Sequence, residues 1–302
     1  MKIFMTGMTG FIGSYVAKAL LDRGDSIVAF VRNPEKIPSL CAHPQVQVVV
    51  GELQQMHLHE KALLGCDACI HIALGWGETP TTMLENDTLP AVALMEAAAK
   101  AGCARFLYTS STAAMGAMHP VMHEEMRTVP SDLYGATKAA TEAFILGFRS
   151  PGMRKNIIRP GYTFGNPVVP DGVTQPDARF RSMAKAALSN QPISLIQHDG
   201  TQFVHAQDLA RLYLAVLDSE ADGEVFLGLS QDWISWERIA QYLIAKCASH
   251  SAVQREDRGW GQEPCVFRVD KIEQHYSLSF HPWKALESHM DWCVQIAQNK
   301  LP

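Results

Sequence analysis

The 302-residue sequence lacks long runs of one charge, apolar stretches of membrane-spanning length and a paired set of cysteines. Its 26 basic and 31 acidic residues give a formal net charge of −5, and neither sign is concentrated in one segment. This balance argues against nucleic acid or an anionic membrane as a partner. Seven cysteines, an odd number, do not match the framework of a secreted disulfide-rich protein. We therefore expect reduced thiols in a cytoplasmic protein with no membrane segment.

The amino-terminal residues leave little room for a targeting segment. The first apolar stretch, Ile3 to Met5, begins two residues from the start and runs directly into Gly7. We therefore expect no signal peptide. Neither internal repeats nor low-complexity tracts interrupt the chain, and 47% hydrophobic with 19% charged residues is typical of a globular protein.

Short apolar runs alternate with helical patterns through the first half of the chain. Strands are predicted at 2–6, 26–32, 46–50, 68–73, 105–110 and 156–160. These runs are nearly continuous in apolar residues, as in strands that are buried on both faces. With helices between them, right-handed crossovers produce an α/β protein with a Rossmann-type, doubly wound parallel sheet.

The regular alternation loosens after Pro160. Residues 161–176 contain three prolines and three glycines, which predicts a loop that lines a site or links domains. A helix at about 177–189, a short strand ending at His205, a helix at 206–218 and a strand at 224–229 are predicted to follow. We predict a dinucleotide-binding domain made of 1–160 with 201–220. Residues 161–200 with 221–302 are predicted to form a smaller, discontinuous substrate domain.

A glycine-rich turn lies between the first strand and the first helix. The segment TGMTGFIG places Gly7, Gly10 and Gly13 at three-residue spacing. Glycine permits a tight turn, lets the backbone approach a pyrophosphate and packs the helix closely on the sheet. The amino end of the helix then presents unpaired N–H groups to the phosphates. This context predicts that the turn binds a dinucleotide.

The end of the second strand indicates which dinucleotide binds. An acidic residue there holds the ribose hydroxyls of NAD, whereas an arginine accommodates the extra phosphate of NADP. Here the strand ends in Arg32, and Lys36 follows one turn later. The sequence favours NADP, with NAD as the alternative.

Tyr134 and Lys138 lie at i and i+4 in the segment YGATK, so they share one face of a helix about 6 Å apart. The phenol has an ordinary pKa near 10, and an adjacent ammonium lowers it by stabilising the phenolate. Thr109, Ser110 and Ser111 end a predicted strand at the carboxyl edge, where open α/β sheets bind ligands. A hydroxyl there can polarise a substrate oxygen.

The glycine turn, the strand that ends in Thr109–Ser111 and the Tyr134–Lys138 pair follow one another along the chain. Their order and spacing resemble the extended short-chain dehydrogenase/reductase family, also called the NAD-dependent epimerase/dehydratase family. Other segments are similar to family motifs: GEL at 51–53, HIA at 71–73, ENDTLPAVALMEAAAKAG at 85–102, RPGYTFGNP at 159–167, FVHAQDLA at 203–210 and GEVFLGLSQDWISWERIAQYL at 223–243. The resemblance therefore extends through most of the chain.

The resemblance implies a role for each matching residue. Ser111 would bind the substrate hydroxyl, Tyr134 would be the general acid/base, and Lys138 would tune Tyr134 and hold the nicotinamide ribose. Asn86, aligned with the active-site Asn of the family, would stabilise its helix and a proton relay. The glycine turn, the strand ends and the resemblance together imply cofactor contacts from Gly7, Thr9, Gly10, Phe11, Ile12, Gly13, Arg32, Glu52, Leu53, Ala73, Lys138 and Pro160.

The resemblance implies an NADP-dependent oxidoreductase that moves a hydride between NADP(H) and a carbonyl or secondary alcohol. The alternatives are a nucleoside-diphosphate-sugar epimerase or dehydratase with tightly held NAD(P), and a non-catalytic NADP(H) sensor. Sugar-nucleotide members carry Arg-Asp where this chain has Thr201 and Gln202, and that arginine binds the diphosphate. Arg179 or Arg181 could replace it. A homodimer is implied by the resemblance alone.

Three apolar residues after strand ends, Trp76, Met115 and Tyr162, are candidate walls for a small uncharged substrate, although ordinary packing is the alternative. Two segments have metal-like spacing: CDAC at 66–69, and the His and Glu residues of 119–125. The first lies at the start of a buried strand and has no second pair. The second matches an acidic loop of the family, so we expect no metal.

Overall fold

Strands and helices alternate along residues 1–299, which are the residues that this computed structural model describes. The strands are β1 (Lys2–Thr6), β2 (Ser26–Val31), β3 (Val46–Val50), β4 (Ala68–His71), β5 (Arg105–Thr109), β6 (Val121–Met122), β7 (Arg154–Pro160), β8 (Thr163–Phe164), β9 (Ile193–Ile196), β10 (Gly200–Thr201), β11 (Val204–His205), β12 (Val225–Gly228), β13 (Ile234–Ser235), β14 (Val253–Glu256) and β15 (Val266–Phe267). The α-helices are α1 (Phe11–Asp22), α2 (Pro38–Cys41), α3 (Met56–Ala62), α4 (Pro80–Met83), α5 (Leu89–Lys100), α6 (Leu133–Gly147), α7 (Arg179–Leu188), α8 (Ala206–Asp218), α9 (Trp236–Lys246), α10 (Asp270–Tyr276) and α11 (Trp283–Gln298).

Seven strands form the central sheet in the order β12-β7-β5-β4-β1-β2-β3. Every neighbouring pair in it is parallel. The predicted Rossmann-type sheet is confirmed. From β1 the chain first builds β2 and β3 on one side and then β4, β5 and β7 on the other. This reversal opens a crevice at the carboxyl ends of the strands, which is where such sheets bind ligands.

The strands are continuous in apolar residues because both faces of the sheet are covered by helices. In β1, Ile3 and Met5 pack into the core that contains α1 and α8. Phe4, between them, points to the opposite face and packs into the core that contains α5. Successive side chains of a strand alternate in this way, so each residue needs an apolar side chain to be buried on its own face.

A third apolar cluster supports the smaller domain beyond the sheet. It is built on α7, α9 and α11 and is rich in aromatic rings. The ring centroids of Phe203 and Trp236 lie 4.9 Å apart, and those of Phe180 and Trp236 lie 5.1 Å apart. The substrate-domain segments predicted before residue 200 and after residue 234 meet in this cluster.

The structure differs from the predicted boundary after residue 220. Strand β12 pairs with β7 in the central sheet, and its Phe226 and Leu227 are fully buried there. Ile272 of α10 and Phe280 also pack into the main core. Without β12, strand β7 would be an open edge of the sheet with unpaired backbone groups. The apolar strand β12 pairs with that edge and so extends the sheet. The last three residues of the predicted substrate domain, 300–302, lie outside the described residues.

No helix within residues 1–299 is both long and apolar enough to cross a membrane.

A buried ion pair joins β7 to α6, the helix that carries Tyr134 and Lys138. Arg159 Nε donates to Glu142 Oε1 at 2.9 Å, and its Nη2 donates to Glu142 Oε2 at 2.7 Å. Both side chains are nearly inaccessible to solvent. Parallel bidentate contacts of this kind fix direction as well as distance, so the pair sets the position of α6 on the sheet.

Replacing Glu142 by Ala leaves the Arg159 guanidinium buried without its partner. We expect Glu142→Ala to lower the free energy of unfolding by about 3–5 kcal/mol, measured by urea denaturation. Glu220→Ala is the matched control, since it removes the partner of Arg154 from an exposed pair and should change stability little. Equal losses in the two variants would contradict a structural role for the buried pair.

Candidate active site

A cavity of about 730 Å³ lies at the carboxyl edge of the central sheet. It is lined by the turns after β1, β2, β3, β4, β5 and β7 and by α6. Of the predicted site residues, every one except Met115 lines it. The topology therefore brings together residues that are spread over more than half of the chain.

Met115 lies away from the cavity. It ends the 3₁₀ turn Thr112–Met115, is 3% exposed and packs into the main apolar core. The tight turn after β5 directs this side chain inward. Of the two interpretations open for Met115, the structure matches ordinary packing.

The glycine turn has the close contacts that its residue types require. Gly7 has φ +77°, and a Cβ there would lie 2.6 Å from the backbone nitrogen of Ala73. A Cβ on Gly13 would lie 1.9 Å from the Gly7 carbonyl oxygen, so α1 can approach β1 only with glycine at this position. Gly10 N donates to the same carbonyl at 2.9 Å and closes the turn.

The amino end of α1 faces the cavity with no side chain capping it. The first backbone N–H groups of a helix have no partners within the helix, so they can bind an anion. Thr6 Oγ1 accepts hydrogen bonds from Ile72 N and Ala73 N, both at 3.2 Å, and so joins the ends of β1 and β4. A glycine turn without side chains and an uncapped helix terminus at the cavity fit the pyrophosphate of a dinucleotide.

The residues after β2 and β3 form the end of the cavity that would face the adenosine. Arg32 and Lys36 are exposed and line it from the loop after β2. Glu52 and Leu53 line it from the turn after β3. Asn33 accepts a hydrogen bond from the backbone of the 3₁₀ turn Pro34–Lys36 and so holds the start of this loop.

Helix α6 brings Tyr134 and Lys138 to the cavity. Asp132 caps the helix by accepting a hydrogen bond from Gly135 N at 2.6 Å. A Cβ on Gly135 would lie 2.3 Å from the Ala113 carbonyl oxygen, so the helix rests directly on the turn after β5. Lys138 Nζ lies 5.8 Å from the centre of the Tyr134 ring. Both side chains line the cavity together with Ser111.

The hydroxyl groups that end β5 have different surroundings. Thr109 Oγ1 is engaged with Tyr213 Oη at 2.6 Å. Ser111 Oγ accepts from Ala113 N at 3.1 Å, which leaves the hydroxyl hydrogen free to donate. Ser110 also lines the cavity, but its Oγ is buried and has no hydrogen-bond partner among residues 1–299. Ser111 is therefore the better placed of the two serines to donate to a substrate oxygen.

Asp87, which sequence reasoning missed, is the residue that reaches Lys138. Its Oδ2 accepts from Lys138 Nζ at 3.3 Å and its Oδ1 accepts from Gly75 N at 3.0 Å, with the carboxylate fully buried. The predicted Asn86 instead donates to the Trp76 carbonyl at 2.7 Å and accepts from Gln54 at 3.0 Å. The available signal was an acidic residue directly after Asn86 in the same helical segment.

A buried polar layer lies beneath Lys138. His71 Nδ1 and Thr6 Oγ1 are 2.6 Å apart, and the rings of His71 and Tyr108 stack at 5.7 Å. Burial, together with the charge of Lys138, lowers the pKa of His71 to about 3, so the ring is neutral. Burial raises the pKa of Tyr108, which keeps its phenol protonated. Lys138 and Asp87 form the ion pair of this layer.

Tyr162 and Trp76 line the cavity from the turns after β7 and β4, on the other side of β1 from the β2 turn that carries Arg32. Tyr162 Oη donates to Asp177 Oδ2 at 2.8 Å. Burial and this carboxylate raise the pKa of Tyr162, so it stays protonated. Trp76 is 57% exposed, and its indole donates to Glu78 at 3.0 Å.

Neither arginine that could replace the missing diphosphate contact lines the cavity. Arg179 pairs with Asp199 at 3.1 Å, and its guanidinium lies 4.4 Å from the centre of the Trp236 ring. Arg181 donates to Thr174 at 2.9 Å within the preceding loop.

Thr201 and Gln202 also belong to the framework. Thr201 pairs with β13, and the buried Gln202 amide donates to the carbonyls of Ser230 and Phe267. Among residues 1–299, no group of three or more His, Cys, Asp or Glu side chains could hold a metal ion.

Comparison with known proteins identifies relatives over most of the chain. The model of the NAD dependent epimerase/dehydratase family matches residues 3–227. A 3 beta-hydroxysteroid dehydrogenase/Delta 5-->4-isomerase of Mycobacterium tuberculosis is 27% identical over 270 residues, covering 82% of this chain and 69% of the relative. A 3-beta-hydroxysteroid dehydrogenase of Mycolicibacterium neoaurum is 32% identical over 180 residues, covering 54% of this chain and 48% of the relative.

Solved structures share the fold along nearly the whole chain. UDP-glucuronic acid 4-epimerase from Bacillus cereus, in complex with NAD, has a TM-score of 0.84 at 21% identity, with 98% of this chain and 100% of that chain covered. A dTDP-glucose 4,6-dehydratase from Streptomyces venezuelae has a TM-score of 0.81 at 20% identity, with 97% and 96% covered. At these identities the likeness establishes the fold, and the family match carries the assignment. The chain belongs to the NAD dependent epimerase/dehydratase family and is an NAD(P)-dependent enzyme of that family.

Proposed function

We propose that the protein is an NADPH-dependent oxidoreductase that interconverts a small carbonyl compound and its secondary alcohol. The observation that carries this proposal is the single cavity shared by the three-glycine turn and the side chains of Ser111, Tyr134 and Lys138. The names of the relatives support it, because two are hydroxysteroid dehydrogenases and a third, from Stigmatella aurantiaca, is a ketoreductase.

Each polar side chain has a task in carbonyl reduction. NADPH, when bound along the glycine turn and against Lys138, supplies the hydride. The hydroxyl hydrogen of Ser111 is free to bond the carbonyl oxygen and polarise it. Tyr134 transfers its phenolic proton to that oxygen, and the Lys138 ammonium stabilises the phenolate that remains. In alcohol oxidation the same groups act in reverse, with Tyr134 as the base.

Asp87 holds the Lys138 side chain in place beside the cavity. Lys138 is deeply buried, and the Asp87 carboxylate lies 3.3 Å from its Nζ as the opposite charge. The hydrogen bond to Asp87 Oδ2 restrains the position of Lys138 Nζ. Gly75 N holds the other carboxylate oxygen, so the loop after β4 is tied to the same network. The catalytic face of α6 is thus supported by a residue of the neighbouring helical segment.

NADP is the proposed cofactor because two exposed basic side chains line the adenosine end of the cavity. Arg32 and Lys36 line this end and are exposed, so both can reach a phosphate on the ribose. NADP preference is typical of enzymes that carry out a net reduction, so it also favours the reductase. A cytoplasmic location fits seven free cysteines. A homodimer stays a prediction from the resemblance.

The second candidate is a sugar-nucleotide epimerase or dehydratase that holds NAD(P) tightly. Solved structures of the same fold with UDP-glucuronic acid bound favour it. A reductase consumes NADPH in proportion to the product formed, whereas an epimerase returns its hydride and leaves NADPH unchanged. Absorbance of the cofactor during turnover separates the two. The non-catalytic sensor is disfavoured by the intact Tyr134–Lys138 pair.

Replacing Tyr134 by Phe removes the proton donor and keeps the ring. We expect Tyr134→Phe to lower kcat by about 10²- to 10⁴-fold, because general acid catalysis is lost. The dissociation constant for NADPH, measured by fluorescence titration, should change little. Unchanged turnover in this variant would remove Tyr134 from the mechanism.

Replacing Arg32 by Gln removes one of the cations at the adenosine end. We expect Arg32→Gln to raise KM for NADPH by roughly tenfold or more, since a charge-assisted phosphate contact is lost, and to leave KM for NADH nearly unchanged. Lys61→Gln, on the exposed face of α3, is the control and should alter neither constant. Equal effects of Arg32→Gln on both cofactors would contradict NADP specificity through this residue.

A further inference from the structure

The two ends of the cavity differ in charge. At the adenosine end, the lining residues include two cations, Arg32 and Lys36, and one carboxylate, Glu52. We define the substrate half as the opposite end, lined by Ser111, Tyr134, Tyr162, Gln175, Pro176 and Asp177. Asp177 is the charged side chain among these residues. Lys138, between the ends, has its charge matched by Asp87 at 3.3 Å.

The Tyr162 and Asp177 side chains at the far wall of the substrate half offer acceptors, while the Gln175 amide beside them can both donate and accept. Tyr162 uses its hydroxyl hydrogen to donate to Asp177 Oδ2 at 2.8 Å, so the phenolic oxygen presents only lone pairs to the cavity. Asp177 Oδ1 accepts from Arg179 N at 2.7 Å. Each carboxylate oxygen keeps a further lone pair. A ligand group that donates N–H or O–H can therefore bind at Asp177, whereas a phosphate or carboxylate at the same place would meet a like charge.

The arginines on α7 do not offset this negative wall. To enter the cavity, Arg179 would have to leave both Asp199 and the face of Trp236. Arg181 would have to give up its bonds to the loop at Thr174 and Gln175, which is the loop that carries Asp177. Moving Arg179 therefore costs an ion pair and a ring contact, and moving Arg181 costs bonds to the loop that carries Asp177.

We propose that the substrate is a neutral or cationic carbonyl compound without phosphate or carboxylate, and that Asp177, positioned by Tyr162, selects it by accepting a hydrogen bond from a donor group. This inference rests on the proposed function and specifies its substrate class. Like charges facing each other across a site disfavour the wrong ligand, whereas a carboxylate opposite a donor favours the right one. The same wall disfavours nucleoside-diphosphate sugars.

The test uses the full-length protein with NADPH and two para-substituted benzaldehydes that differ in charge, methyl 4-formylbenzoate (neutral) and 4-carboxybenzaldehyde (anionic). We expect kcat/KM to be at least about tenfold higher for the neutral aldehyde, because the anion faces Asp177. Asp177→Asn should lower that ratio towards one, and Asp177→Lys should reverse it. Asp171→Asn, in the same loop but outside the cavity, is the matched control and should retain the wild-type ratio.

A second measurement follows the thermal stability of the NADP-loaded protein with UDP-glucose as the diphosphate probe. We expect no stabilisation of the wild type and a gain of stabilisation in Asp177→Lys. The proposal is overturned if UDP-glucose stabilises the wild type, or if Asp177→Asn leaves the aldehyde ratio unchanged. Absence of turnover with both aldehydes would instead contradict the reductase, and the UDP-glucose titration would still decide the charge selection.

Discussion

The close approach of helix α1 to the end of strand β1 is the contact on which the site depends. It is possible only because Gly13 has no side chain where the Gly7 carbonyl oxygen lies, and because Gly7 occupies a left-handed conformation against the backbone of Ala73. The helix terminus then faces the crevice where the strand order reverses. The adenosine end and the substrate half extend to the two sides of this point, so their residues are placed relative to it.

Helix α6, which carries Tyr134 and Lys138, is held by two buried ion pairs. Glu142 joins Arg159 of β7, and Lys138 joins Asp87 of the segment before α5. Buried pairs add little net stability compared with apolar packing, but losing one partner is costly, so they specify position. The geometry of Tyr134 relative to the cofactor crevice is therefore set by electrostatics inside the protein, on a helix whose buried face is otherwise formed by small and apolar residues.

Much of the architecture could be predicted because local patterns carry it. Continuous apolar runs indicated each of the first six sheet strands, since both faces of the sheet are covered. The order of the glycine turn, the serine strand and Tyr134–Lys138 indicated the family. The domain boundary was less accurate, because an apolar run such as β12 fits either an isolated strand or a sheet edge, and only the open edge of β7 decides between them.

The sequence by itself determined the family, the sheet and the residues that meet at its carboxyl edge, because spacing along one strand or helix already fixes which side chains share a face. The tertiary structure decided which charges remain available there. Lys138 meets a carboxylate 51 residues away, Arg179 meets one 20 residues away, and Tyr162 is joined to Asp177 across a loop. Such pairings depend on how separate elements pack, and local spacing does not contain that information.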